Sequence, residues 1–382
     1  MTGHVEINDL QATLSALPAA MPRARAHLLA ELATAYARAG LPNEGLEAVR
    51  EALHLTHLPS RSFERAEAMN AAALCHYFRC DFMMAIAGGL DAYQGFSQHQ
   101  DFANMGHALT TIAAACKDIG ATEIAIEALE GCINVARRSG DAFLEARSSN
   151  TLGMLLGEIG KFDDAARHLT LARECLQRAG KSTHLPKVMA SVGDMLKRQA
   201  ALAHAAGDAV ASRRFLQQAI ESRCGAVATI EAAQNQFDQA DNDLALGEYH
   251  FLLSDFAVAE VHLRQAMKLG QQLKNTQIVI ESNLYLGRIM LATGHAAVAE
   301  RHLRQALELA RAAEARKVQI EAQRQLAACL LVLERTQDAA TQSMLADELE
   351  SNIRVVHHEA AREARQLWER YFSRHPLIAP SA

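Results

Sequence analysis

Residues Ala257–Gly270 read AVAEVHLRQAMKLG, and forty residues later Ala297–Ala310 read AVAERHLRQALELA, identical at ten of fourteen positions. Self-similarity at a fixed period decides architecture before any local propensity does. Phased on Leu263 and Leu303, the chain yields eight anchors: Val49, Gly89, Leu129, Leu169, Leu216, Leu263, Leu303 and Ser343, with steps of 40, 40, 40, 47, 47, 40 and 40 residues.

Columns at other offsets test this phasing. Four residues before the anchors stand Gly45, Ala85, Ala125, Ala165, Ser212, Ala259, Ala299 and Ala339; three after stand Ala52, Ala92, Cys132, Ala172, Ala219, Ala266, Ala306 and Ala346. Sixteen before stand Ala33, Ala73, Ala113, Gly153, Ala200, Gly247, Gly287 and Ala327. Every one is small, as required where two helices cross at short distance. Nine residues before the anchors, Gly40, Gly120, Gly160, Gly207 and Gly294 mark a turn, because glycine accepts the left-handed backbone that ends a helix. Each unit is expected to be helix, turn, helix.

The segments Leu32–Gly40, Leu152–Leu169 and Leu286–Gly294 carry a small residue in the first helix and A-x3-type spacing in the second. In this the chain resembles the tetratricopeptide repeat (TPR) family over roughly Arg23–Glu348, with a longer period than the usual ~34 residues and without the family's tryptophan. Such long-helix variants resemble the arrays of bacterial regulatory and sensor proteins. The resemblance implies an all-α solenoid, a superhelix of about eight TPR-like hairpins with capping helices at both ends. The expected division is an N-terminal capping helix over 1–22, eight repeats over 23–348, and a C-terminal helix and tail over 349–382. The two longer steps place seven extra residues at the start of the first helices of repeats five and six, near Ser182–Val188 and Ala226–Ala232. Seven residues are close to two helical turns, so neither insertion rotates a buried face.

Composition agrees. Only Pro186 lies between Pro59 and Pro376, which suits a chain of helix interiors that tolerate proline poorly. A net charge of −6 without a basic stripe argues against nucleic acid. Seven cysteines with no C-x-x-C pair predict reduced thiols and a cytoplasmic protein. No apolar run approaches the ~20 residues of a membrane span, and the N-terminus does not read as a signal peptide.

No catalytic residue, metal site or cofactor is predicted. His358-Glu359 begins like a zinc-protease motif, but Arg362 stands where the second histidine belongs. Gly160-Lys161 has neither the spacing nor the preceding strand of a phosphate loop. His168, His262 and His302 recur at one repeat position and are expected to border the stacking interface.

A solenoid offers a long concave surface, and in the resembling family the first helices line it. Twenty-two residues before the anchors lie His27, Glu67, His107, Arg147, Asp194, Asp241, Glu281 and Glu321; nineteen before lie Asn70, Thr110, Asn150, Lys197 and Arg324; fifteen before, Glu248 and Arg288. The candidate groove is Asn70, His107, Arg147, Asn150, Asp194, Lys197, Asp241, Glu248, Glu281, Arg288, Glu321 and Arg324. Asn70 and Asn150 match the family's peptide-backbone asparagines. The row Asp194, Asp241, Glu281, Glu321 predicts a partner segment of basic character. The first three repeats offer His27, Glu67 and Asn70 where the family's chaperone-tail binders carry a carboxylate clamp, so docking of that kind is not expected.

The expected function is a non-enzymatic scaffold or regulator that binds a protein or peptide in its groove. The alternative is the sensory or dimerisation input region of a bacterial signalling protein of the diguanylate cyclase or transcription-regulator type. In the final helix, Ile353, His357, Ala360, Ala364, Leu367 and Tyr371 form a seven-residue seam. Leu349–Ala361 is expected to cap the last hairpin. Arg362–Phe372 is expected to protrude or to pair with a second copy as a homodimer, and the tail His375–Ala382 to be loose.

Overall fold

The computed structural model describes residues 2–55, 62–373 and 377. Among these are seventeen α-helices, one short 3-10 turn and no strand. Helix α1 spans Thr2–Ala16; the hairpins that follow are α2 (Pro22–Arg38) with α3 (Pro42–Leu55), α4 (Phe63–Phe78) with α5 (Phe82–Gln98), α6 (Phe102–Asp118) with α7 (Thr122–Ser139), and α8 (Ala142–Glu158) with α9 (Phe162–Arg178). Then come α10 (Leu185–Ala205) with α11 (Ala209–Ala232), α12 (Gln236–Leu252) with α13 (Phe256–Gln272), α14 (Thr276–Ala292) with α15 (Ala296–Ala312), and α16 (Arg316–Val332) with α17 (Thr336–Phe372). The sixteen repeat helices expected from the phasing are all present. The chain divides into two compact units, one of residues 1–155 and 356–382, the other of 156–355.

The small columns are the helix contacts. Ala85, Ala125, Ala165, Ala259 and Ala299 are fully buried, as are Ala52, Ala92, Cys132, Ala172, Ala219, Ala266, Ala306 and Ala346. A β-carbon on Gly247 would lie 2.6 Å from the Leu263 side chain, and one on Gly287 2.7 Å from Leu303. In each case the glycine faces the anchor leucine of its own hairpin. In repeat two the anchor itself is Gly89, and its β-carbon would meet Ile112, in the first helix of the next hairpin, at 2.6 Å.

The turn glycines Gly40, Gly120, Gly160, Gly207 and Gly294 have φ between 78° and 82°. Cys80, Ser254 and Glu334 hold the same turn position in the other three repeats, at φ of 62°, 66° and 60°. The left-handed turn is thus imposed by hairpin packing even where no glycine supplies it.

Two boundaries differ from the sequence reading. Pro186 opens α10 behind the 3-10 turn Ser182–His184, as expected. Ala226–Ala232, however, is the end of α11, which runs 24 residues, not the start of the next first helix. Asn235 sets that boundary by accepting hydrogen bonds from the Phe237 and Asp238 amides. Repeat five therefore carries both insertions, and α12 has the ordinary 17 residues. At the other end, no glycine or proline interrupts Thr336–Phe372, so the second helix of repeat eight and the final helix are one 37-residue element.

In the first unit the end of α17 is seated, which corrects the expectation that Arg362–Phe372 protrudes or pairs with a second copy. Ala364 is fully buried and Trp368 is 3% exposed. Arg365 donates to Glu127 at 2.9 Å and Glu123 at 2.8 Å, and the Trp368 indole N–H donates to Glu127 at 2.7 Å. The Phe372 and Tyr93 ring centroids are 5.8 Å apart. A β-carbon on Gly131 would lie 2.8 Å from the Leu377 side chain, so this tail residue rests on α7. The tail is otherwise outside the described residues, as are the residues joining repeats one and two.

Candidate functional site

The first unit holds a cavity of about 690 Å³ along the first helices of its hairpins. The row read at one repeat phase (His27, Glu67, His107 and Arg147, from α2, α4, α6 and α8) lines it, as do Asn70 and Thr110 from the next row. Glu6 and Leu10 of α1 also line it, so the N-terminal helix contributes to the site. Asn150 is not among the lining residues. Its Nδ2 lies 3.8 Å from the Met154 sulfur, and its Oδ1 is buried with no hydrogen-bond partner among the described residues.

The cavity is polarised. At one end the His27 ring nitrogens lie 2.8 Å from Glu67 and 3.5 Å from Glu31. Burial pulls the His27 pKa down, but the hydrogen bond and charge of Glu67, with Glu31 and Glu64, outweigh it, and the net shift is upward. Burial raises the Glu67 carboxyl against the opposing pull of His27. The second Glu67 carboxylate oxygen and Asn70 Oδ1 are buried without a hydrogen-bond partner among the described residues. At the other end Arg38, His107 and Arg147 line the wall together. Burial lowers the His107 pKa, and the charges of Arg147 and Arg38 lower it further. Arg38, in the last turn of α2, is absent from the candidate row, because it lies eleven residues before its anchor rather than twenty-two.

The second unit carries the remaining candidates, and nearly all are joined to one another or to close neighbours. Arg223, 5% exposed at its side chain, lies 2.8 Å from Asp241 and 3.6 Å from Asp194. Tyr249 donates to Asp194 at 3.0 Å. Lys197 pairs with Glu248 at 2.9 Å, and Tyr285 donates to the other Glu248 oxygen. Gln277 donates to Glu281, whose carboxyl is raised by burial. The Arg288 guanidinium lies over Phe251 at 4.6 Å and Tyr285 at 5.0 Å. Gln325 donates to Glu321 at 2.8 Å, and Arg324 to Glu350 at 2.8 Å. Arg223 organises this network and was not singled out in the sequence. Its signal was there: seven residues after the anchors repeats two, three, four, six and seven place Phe96, Ala136, Leu176, Gly270 and Ala310, whereas repeat five places an arginine.

The recurring histidines are local. His262 bonds Asp243 at 2.8 Å and His302 bonds Asn283 at 2.9 Å, each joining the two helices of one hairpin at the same repeat offset.

No family model matches the sequence, and no curated protein matches it. Among solved structures the chain is similar to a Rap protein complexed with Competence and Sporulation Factor, with 12% identity over 93% of this chain and 99% of that one, and a TM-score of 0.62. It is also similar to the apo quorum sensor NprR from B. thuringiensis, with 13% identity, 85% and 88% coverage and a TM-score of 0.58. A third is the Rap conjugation gene regulator of plasmid pLS20 with the Phr* peptide, at 11%, 87%, 96% and 0.57. Hairpin period, small-residue columns, left-handed turns and these shared folds agree: by fold this chain is a TPR-like helical repeat protein.

Proposed function

We propose that the chain is a non-enzymatic regulator that binds a short peptide or an extended protein segment in the cavity of its first unit. The observation that carries this reading is a 690 Å³ space lined at a single repeat phase by His27, Glu67, His107 and Arg147, with Asn70 and Thr110 beside them. A row at constant phase along stacked first helices suits a linear ligand, which meets one helix per few residues. Two of the structural neighbours are described with a bound factor or peptide, which supports the class of ligand. The acids of the second unit, by contrast, already have partners within the chain, so the reading moves away from a basic segment at that end. No described helix is long and apolar enough to cross a membrane, and the free thiols fit a reducing, cytoplasmic setting.

Photo-crosslinking tests this. A photoreactive residue at Thr111, on the cavity wall, should capture a segment from native extract, whereas one at exposed Val210 should not. Equal capture at both positions, or capture at Val210 alone, refutes the reading.

A further inference from the structure

The contact between the end of α17 and the hairpins of the first unit is narrow. Residues 356–363 lead into it with no buried residue: His357 rests against the turn glycine Gly120, and Val356 is 55% exposed. Of residues 364–373 only Ala364 and Trp368 are buried. The helices beneath, α5 and α7, bury nine residues each and are packed in hairpins with α4 and α6. Those hairpins are complete without the end of α17, whose few contacts make it a segment of low local stability.

Its chemistry is that of a helix laid in a groove. Arg365, Trp368 and Phe372 stand at i, i+3 and i+7, one face over two turns. The Trp368 and Phe372 ring centroids are 4.3 Å apart, and Phe372 meets Tyr93 of α5. The polar side of the seat is open to water: Glu123 is 86% exposed at its side chain and Glu127 43%. Ion pairs so exposed contribute little and are screened by salt. Among the described residues Arg365 is the ion-pair partner of both acids. Glu369 of α17 itself adds a third carboxylate acting on Arg365. One cation among three acids is incomplete complementarity, and a more cationic helix suits this seat better than the chain's own segment does.

We propose that the second-helix face of α5 and α7 is a docking site for a basic amphipathic helix carrying a cation, a tryptophan and a second aromatic at i, i+3 and i+7. The end of α17 is its resting, releasable occupant. A partner helix of the same pattern and greater positive charge takes its place, anchored by its aromatics over Tyr93 and by its cations on Glu123 and Glu127. This surface belongs to second helices and does not depend on the peptide-binding reading of the first-helix cavity.

Trp368 is the sole tryptophan of the chain, so its fluorescence reports the seat directly. In a urea titration of the full chain its emission should move to the red before the helical circular dichroism signal falls. Glu127→Gln should lower the midpoint of that first step and leave the second unmoved. A fluorescein-labelled peptide of residues 362–373 then probes the emptied seat. It should bind full-length Trp368→Ala about tenfold more tightly than the wild type, where α17 competes. The same peptide with Glu363→Lys and Glu369→Lys should bind about threefold more tightly again, and Glu127→Lys in the chain should abolish both. Arg365→Glu, which alters exposed contacts only, replaces Trp368→Ala if that variant does not fold. Trp368 exposure that coincides with loss of helix would make the end of α17 a fixed part of the fold and overturn the proposal. So would equal peptide binding to wild type and variant, or binding indifferent to Glu127→Lys. Dimers forming at the first urea step would make a second copy the occupant and overturn the partner reading.

Discussion

The two units present the same repeat phase and do opposite things with it. In the first unit the first-helix face stays more open: among the described residues Arg38 and Arg147 have no ion-pair partner, and Glu67 keeps a carboxylate oxygen without a hydrogen-bond partner. Its first-helix pairs gather about His27, and on the second-helix face Glu123 and Glu127 hold Arg365 while Glu127 also accepts from Trp368. In the second unit the first-helix face is knitted together by Arg223, Tyr249, Lys197 and Tyr285. Side-chain size explains much of this. Fourteen residues before its anchor the second unit places Tyr249, fully buried, where the first three repeats have Ala35, Cys75 and Ala115. Small residues leave space over the face, and a tyrosine fills it and brings a hydroxyl to bond Asp194. Repeat phase therefore reports which way a residue points, whereas the neighbouring columns determine whether its charge is available.

Substitutions can break this contrast. The largest expected effect is Trp368→Ala, which opens a buried site in the first unit and orphans a Glu127 contact, at a cost of about 3–5 kcal/mol in chemical denaturation. A variant as stable as the parent would mean that the helix end is not seated on α5 and α7. Next is Arg223→Ala in the second unit. It leaves two carboxylates and Tyr249 without their shared cation, but Asp194 and Asp241 are almost half exposed, so about 2–3 kcal/mol is expected rather than the full buried-pair cost. Arg147→Ala, its counterpart on the open face, should change stability by less than about 0.5 kcal/mol. Equal losses at Arg223 and Arg147 would erase the distinction between the two faces.

Gly89→Leu and Gly287→Leu sharpen the comparison from the other side, because helix contact is what the units share. Each should overpack by about 1–3 kcal/mol, and melting curves that differ widely between them would show that the repeats do not pack alike. The smallest effect is on pH. The folded pKa of His27 is raised, so its contribution is fully present below the unfolded value near 6.5 and fades as pH rises through the higher folded value. His107 has the opposite sign: its folded pKa is depressed, and its protonation erodes stability as pH falls from about 6.5 through that lower value. Wild type minus His27→Gln stability should therefore decline on going from pH 6 to 8, and wild type minus His107→Asn should not. A flat difference for His27 would dissociate it from Glu67.

Much of this was legible from phase alone. His27, Glu67, His107 and Arg147 were placed on one wall by counting back from the anchors, and the structure lines one cavity with all four. The failures have physical causes. Seven residues preserve helical phase whichever side of a turn they join, so periodicity could not assign Ala226–Ala232; the cap at Asn235 could. The end of α17 was misread because its partners, Glu123 and Glu127, lie on a helix far earlier in the chain, and a seam read from one helix cannot show what covers it. Arg38 and Arg223 fall outside the candidate columns, and each matters because of what surrounds it rather than its own offset.

The seating of Arg365 has a kinetic consequence. Its partner Glu127 lies 238 residues earlier in the sequence. At roughly 5–20 residues per second, a ribosome needs roughly 10–50 s between the two. Throughout that interval α5 and α7 have left the ribosome with Tyr93, Glu127 and Gly131 uncovered, and no nearby segment can substitute. Closing so long a loop adds little to the equilibrium cost, which grows only with the logarithm of loop length, but contacts this distant slow the search for the native state. The part of the first unit synthesised earliest is therefore the part completed last, and refolding of the full chain should show a slow phase in Trp368 fluorescence after most helical signal has returned.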